Sequence, residues 1–244
     1  MSCRPQCLRP CPSRLGHLTP LAGESHEHRL AARLAASAAQ KPKLRFSMAM
    51  LDWLVGESEL TLTGSGVSLR PPRMGDYAEW ASLRRESRTF LQPWEPTWPA
   101  DDLTKSAFRR RLSIYARDAD LGLGYVFFIF RKSDDAIVGG VSLREVRRGV
   151  SQSASVGYWA GAPYARRGHT LDGTRTVLRF AFESLALHRV EAACCPDNIA
   201  SRDLLLKAGF REEGLARSYL KINGVWRDHH LFAMLQTDPE TSSL

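Results

Sequence analysis

The sequence predicts a mixed α/β fold, a mostly antiparallel sheet with helices packed on it, in the order β-α-α-β-β-β-α-β-α-β-β. Three observations carry this expectation. The apolar run Tyr125 to Phe130 is strand-sized and meets a second run, Ala136 to Leu143, across the turn Ser133-Asp134-Asp135. Leu171, Thr174, Leu178, Ala181, Phe182 and Leu185 trace one face of a long helix after Gly168. Leu215 to Lys221 and Asp228 to Leu235 flank Asn223-Gly224, a dipeptide suited to tight hairpin turns.

The remaining elements follow from local chemistry. Val67 to Arg70 alternates and stops at Pro71-Pro72, which cannot donate to a ladder. Asp76 can cap a helix carrying Tyr77, Trp80 and Leu83. A loop punctuated by Pro93, Pro96 and Pro99 carries Trp94 and Trp98, and Asp101-Asp102 open a second helix with Leu103, Phe108, Leu112 and Tyr115 as its apolar positions. Ser153 to Trp159 and His188 to Cys195 read as strands, and Asn198 to Lys207 as a short helix stopped by Gly209. The expected total is six to seven strands and about four helices over residues 60–237. A disordered basic extension over 1–47 precedes them and a C-terminal tail, 238–244, follows.

Composition narrows the function classes. No apolar run approaches the roughly 18 to 20 residues of a membrane helix, so no membrane partner is expected. The net charge is +8, but residues 1–47 hold eight Lys and Arg against two Glu, so most of the excess belongs to the extension. Nucleic acid is therefore expected at most through that segment. The extension is basic and poor in acids, like a transit peptide. It reads more simply as disordered, or as sequence upstream of a start at Met48 or Met50. Cys3, Cys7 and Cys11 lie in it, while Cys194 and Cys195 are adjacent in the body. An odd total with one vicinal pair argues for a reducing, cytoplasmic setting over a disulfide framework. The Cys spacing lacks the close pairs of a zinc site, so no metal is expected.

Two segments carry chemistry. Gly157-Tyr158-Trp159 and Pro163-Tyr164-Ala165-Arg166-Arg167-Gly168 lead from a strand through a tight turn into the long helix. A helix N-terminus offers unpaired N–H groups and a positive dipole end, and Arg166 and Arg167 add charge where a phosphate could sit. Plain turns have the same appearance. The second segment is Asn198-Ile199-Ala200-Ser201, with Gly209-Phe210 after it; a capped helix accounts for Asn198 and Gly209 without any ligand.

Taken together, these segments resemble the GNAT superfamily, and within it the RimJ/RimL-type N-terminal acetyltransferases of ribosomal proteins. Leu91-Gln92-Pro93-Trp94-Glu95, Gly157-Tyr158-Trp159, His188 to Ala192, Asn198 to Ser201 and Leu220 to His229 support the closer likeness, which spans Val67 to Leu235. The resemblance implies acetyl transfer from acetyl-CoA to an amine by direct attack on the thioester. It implies that the strand ending at Trp159 splays from that at His188 to Cys195, so that pantetheine pairs between them. Cofactor contacts would come from Tyr158, Trp159, Arg166, Arg167, Gly168, His169, Thr170, Asn198 and Ser201. Ser201 would lie near the CoA sulfur and hydrogen-bond or protonate the leaving thiolate. The amine must arrive neutral through a base or a water chain, and Glu191 is the candidate base, although residues in such places serve a structural role more often. Trp94, Trp98 and Tyr219 would line the acceptor pocket, although aromatic residues in such places serve as core equally often.

The chain departs from the family's phosphate loop, Q/R-x-x-G-x-G/A. Ala165 stands at its first position, Arg166 at a common glycine and Thr170 at the small sixth residue. Gly173 replaces a usual helical alanine, at about 1 kcal/mol of helix propensity. Ser155 and Ala193 occupy strand positions often acidic. The expected acceptor is a protein or peptide N-terminus of the ribosomal-protein kind, acted on by a monomer or homodimer. Small-molecule amine acetylation, or a CoA-binding module with weakened catalysis, are the alternatives.

Overall fold

A computed structural model describes residues 60–244; the expectations for 1–47, for Met48 and Met50 and for the first three cysteines lie outside the described residues. The elements are β1 (Leu62–Thr63), β2 (Val67–Arg70), α1 (Tyr77–Glu86), α2 (Arg88–Leu91), α3 (Lys105–Asp120), β3 (Tyr125–Arg131), β4 (Ile137–Arg147), β5 (Ser153–Ala160), α4 (His169–Arg179), β6 (Arg189–Cys194), α5 (Ile199–Ala208), β7 (Arg211–Ile222) and β8 (Val225–Leu235). The eight strands form one sheet in the order β1-β2-β3-β4-β5-β6-β8-β7. Every pair is antiparallel except β5 with β6. The expected mixed α/β sheet is therefore present, with one strand and one helix more than the patterning gave. The additions, β1 and α2, are too short for periodicity to reveal.

Strand alternation divides the core. Phe127 and Ile129 of β3, with Ala154 and Val156 of β5, join Val177 and Leu178 of α4 and Leu205 of α5 in the larger cluster. Phe128 and Phe130 point the other way and meet Trp80 and Leu83 of α1 and Phe108 of α3. Helices thus cover both faces of the sheet.

Capping follows the sequence in part. Asn198 accepts from the Ser201 N–H at 3.1 Å, and Gly209 ends α5 with φ 104°, both as expected. Asn223 and Gly224, at φ 44° and 84°, make the turn between β7 and β8. Two capping assignments need correction. Asp76 does not cap α1 through its side chain; it accepts from the Arg73 N–H at 2.7 Å and pairs with Arg70. Thr104 caps α3 by accepting from Ala107, while Asp101 and Asp102 pair with Arg110 and Arg111 one and a half turns into the helix. In each case a guanidinium competes for the carboxylate and wins.

The helical glycine also has a physical cause. A Cβ on Gly173 would lie 2.7 Å from Ile129 Cδ1, inside the fully buried core. The propensity cost of about 1 kcal/mol is accepted because the Ile129 side chain of β3 fills the space where a Cβ on α4 would stand. Residues 238–244 fold back on the sheet: Asp238 accepts from the Leu235 N–H at 2.9 Å and Thr241 donates to the Leu235 carbonyl. Pro239–Ser243 forms a 3-10 turn between these contacts and Leu244.

Candidate active site

The parallel ladder between β5 and β6 holds for three residue pairs, Ser153–Arg189, Ala154–Val190 and Ser155–Glu191, and then ends. Beyond it β6 remains paired with β8 as far as Cys194, and β5 with β4 as far as Ala160. The two strands part between Val156 and Ala160, leaving an opening in the middle of an otherwise continuous sheet. Both inner edges there carry backbone donors and acceptors without a strand partner.

Tyr158 and Ser201 meet on the side of this opening where α4 and α5 pack. Tyr158 packs against the larger core, and its Oη lies 2.9 Å from Ser201 Oγ and 3.3 Å from the Ser201 carbonyl, to which it can donate. Burial pushes the Tyr158 phenol well above its ordinary range, so it stays protonated. Burial also pushes the neighbouring Cys194 thiol up to about 11, an effect that the Ser201 hydroxyl partly offsets. Asn198 sets the start of α5 and so fixes where Ser201 stands.

The loop into α4 places Arg166 and Gly168 in the left-handed region, at φ 60° and 85°. Gly168 has open space on its Cβ side, so a ligand could approach its backbone. Arg166 adopts the same left-handed geometry without being a glycine, at the position where the family resemblance expects one. Arg166 and Arg167 are exposed and form no ion pair among the described residues, while His169 and Thr170 begin the helix half-buried.

Trp159 goes to the opposite face from Tyr158, as strand alternation requires. Its indole lies over Gly140, where a Cβ would stand 2.4 Å from the indole Nε1. It helps line a cleft of about 550 Å³ between the sheet and the pair α1, α3, walled by Trp80, Arg84, Trp98, Asp102 and Arg111. Arg84 is gripped bidentately by Glu95 at 2.8 and 2.7 Å, and Glu95 also accepts from the Trp98 indole N–H at 2.7 Å. The Arg84 guanidinium lies 4.3 Å from the Trp98 ring centroid and 4.9 Å from that of Trp159. The Glu95 carbonyl accepts from Asn223 N–H, which ties the proline-rich loop to the β7–β8 turn.

Apart from Glu191 and the loop residues Arg166 to Thr170, the sequence-derived residues separate into three groups. Tyr158, Asn198 and Ser201 converge at the opening; Trp98 and Trp159 line the cleft; Trp94 and Tyr219 line neither. Tyr219 is half-exposed on β7 and packs edge-on against His229. Glu191 lies on the same sheet face as the cleft but outside its lining, its Oε1 accepting from Arg189 Nε at 2.8 Å, and Arg189 also binds Glu213. Arg84, Glu95 and Asp102 were not marked by the sequence. Glu95 falls within a family-like segment, but no local pattern links it to Arg84 on another element.

Cys195 and His229 form a further buried pair, with Sγ 3.4 Å from Nε2. The His229 Nδ1–H donates to the Arg227 carbonyl at 3.0 Å, which leaves Nε2 to accept from the thiol. Burial holds the imidazole below its ordinary value of 6.5. The unfolded chain therefore takes up this proton first as pH falls below that value, so stability drops until the lower folded value is passed. Thermal unfolding at pH 7.5 and 5.5 should show a loss of Tm on acidification that is smaller in His229→Gln than in the parent.

Residues 67–211 match the acetyltransferase (GNAT) domain family. The chain is 37% identical over 179 residues to the probable N-acetyltransferase YjcK of Bacillus subtilis, covering 73% of this chain and 99% of that one. It is 32% identical over 158 residues to the [ribosomal protein uS5]-alanine N-acetyltransferase of Escherichia coli, covering 65% and 81%. Among solved structures, Mycobacterium smegmatis RimJ in complex with CoA-disulfide superposes with a TM-score of 0.67 at 34% identity, over 72% of this chain and 86% of that one. The parted strands, the loop into α4 and these likenesses agree: the chain belongs to the GNAT family and is an N-acetyltransferase, an enzyme that transfers an acetyl group to an amine.

Proposed function

We propose that this enzyme acetylates the α-amino group of a protein N-terminus, with acetyl-CoA as co-substrate. The observation that carries the proposal is the parting of β5 from β6 with Tyr158 and Ser201 at its edge. An opening of this kind accepts an extended amide-bearing chain as a strand would, and the exposed Arg166 and Arg167 beside the α4 N-terminus suit a pyrophosphate. Relatives named for ribosomal-protein alanine acetylation, and a RimJ structure containing CoA, support the same assignment.

Acetyl-CoA supplies the acyl group as a thioester. The chain's own residues do the rest. Arg166, Arg167 and the N–H groups of Gly168, His169 and Thr170 bind the phosphates. Asn198 holds the α5 terminus in place. As the acceptor nitrogen bonds to the acyl carbon and the carbon–sulfur bond breaks, Ser201 donates a hydrogen bond to the sulfur that leaves as thiolate. Tyr158 donates one to Ser201, each keeping its proton, and the thiolate takes its proton from solvent on release. Glu191 takes the proton lost by the amine: its Oε1 is shared with Arg189, but the side chain remains partly exposed on the cleft face. Trp98 and Trp159 flank the acceptor.

The test is turnover of acetyl-CoA with Ala- and Ser-starting peptides, set beside a polyamine and an aminoglycoside. Preferential acetylation of the peptides is expected. Acetylation of the small amines with no peptide turnover would overturn the assignment.

A further inference from the structure

Two buried polar atoms in the cleft wall have no partner among the described residues. Arg84 uses both terminal nitrogens on Glu95, yet its Nε–H reaches no acceptor. Asp102 gives Oδ1 to Arg111, and its Oδ2 receives no donor. The residues are 7% and 6% exposed, and both line the cleft. An unpartnered buried polar atom costs about 1–3 kcal/mol, so folded proteins keep few of them. These two are complementary in kind, one donor and one acceptor, and they belong to the same cavity.

We propose that Arg84 and Asp102 read an amide group of the acceptor, Arg84 Nε donating to its C=O and Asp102 Oδ2 accepting from its N–H. The proposal rests on the protein N-terminus reading above and names the feature by which the site would tell a peptide from a simple amine. The first peptide unit of an N-terminus whose second residue is not proline offers one carbonyl and one N–H on opposite edges of the same amide plane. A polyamine offers only donors and leaves Arg84 Nε unmatched, which is where discrimination arises. Glu95 is a poorer candidate for this role, because both of its oxygens are already engaged by Arg84 and Trp98.

Neither atom is open to solvent, so engagement includes a side-chain adjustment. For Asp102 this is a turn of the side chain about Cα–Cβ that carries Oδ2 toward the cleft. For Arg84 it is displacement of the Trp98 ring that lies over the guanidinium. Both are rotamer-scale changes and leave the sheet undisturbed.

The experiment pairs an enzyme variant with a substrate variant. An Ala-starting peptide is compared with its depsipeptide, in which an ester oxygen replaces the N–H of the second residue and the carbonyl is kept. Wild-type enzyme should prefer the amide by about tenfold in kcat/KM, the scale of one buried hydrogen bond. Asp102→Asn, which places a donor where Oδ2 was, should lose about that factor on the amide, little on the ester, and nothing in KM for acetyl-CoA. Equal losses on both substrates would make Asp102 a structural residue and overturn the proposal. Equal wild-type rates on amide and ester would also overturn it, and that measurement needs no variant to fold. Absence of peptide turnover beside active polyamine acetylation would overturn the protein N-terminus reading as well, so the two failures are distinguishable.

Discussion

Ser201→Ala is expected to lower kcat by about 10²-fold or more, the usual scale for a donor aimed at charge that develops in the transition state, while affinity for acetyl-CoA changes little. The expectation follows from geometry. Ser201 Oγ stands 2.9 Å from Tyr158 Oη, and the phenol is kept protonated by burial. Removing the hydroxyl leaves the α5 cap intact, because Asn198 accepts from the Ser201 backbone N–H and not from its side chain. Tyr158→Phe keeps the ring in the core and removes only the hydrogen bond behind Ser201, so a smaller fall in kcat is expected. Steady-state kinetics on both variants, with calorimetric titration of acetyl-CoA, separates these outcomes. A weakened acetyl-CoA affinity with kcat unchanged would assign Ser201 to binding alone.

Arg84→Ala is expected to cost about 3–5 kcal/mol of stability, the range for breaking a buried ion pair from one side. The Arg84 side chain is 9% exposed, and its loss strands the Glu95 carboxylate beneath Trp98. The damage should spread, since the Glu95 carbonyl also anchors the β7–β8 turn through Asn223. Replacing both charges, as in Arg84→Met with Glu95→Gln, should restore part of the loss because no lone charge is then left in the wall. Urea unfolding of the single and double variants measures both effects. A double variant no more stable than Arg84→Ala would show that packing against the two tryptophans, not charge pairing, sets the cost.

Much of the fold was legible because most elements carry a periodic apolar face or a strong terminal signal. Asn198, Gly209 and Asn223-Gly224 fall where a local rule requires them, independent of distant contacts. Asp76 and the pair Asp101-Asp102 were misassigned for the opposite reason. Their carboxylates are taken by Arg70, Arg110 and Arg111, and no local rule predicts which of two legitimate partners prevails. The site divides in the same way. Tyr158, Asn198 and Ser201 lie in family-like segments. The Arg84–Glu95–Trp98 cluster and the open oxygen of Asp102 exist only once α1, the proline-rich loop and α3 have met across the sheet. Strand alternation was sufficient in principle to send Tyr158 and Trp159 to opposite faces, yet their adjacency in the motif suggested a shared role.

The contact between Gly173 and Ile129 sets a distance rather than an energy. A helix whose bare backbone rests on one strand side chain can neither settle closer nor be lifted without opening a gap, and α4 is seated in that way on Ile129. The first turn of α4, only a few residues earlier, carries the loop with Arg166 and Gly168. The height of that loop above the sheet is thus inherited from an atom missing in the core, which gives a surface loop the placement accuracy of the interior.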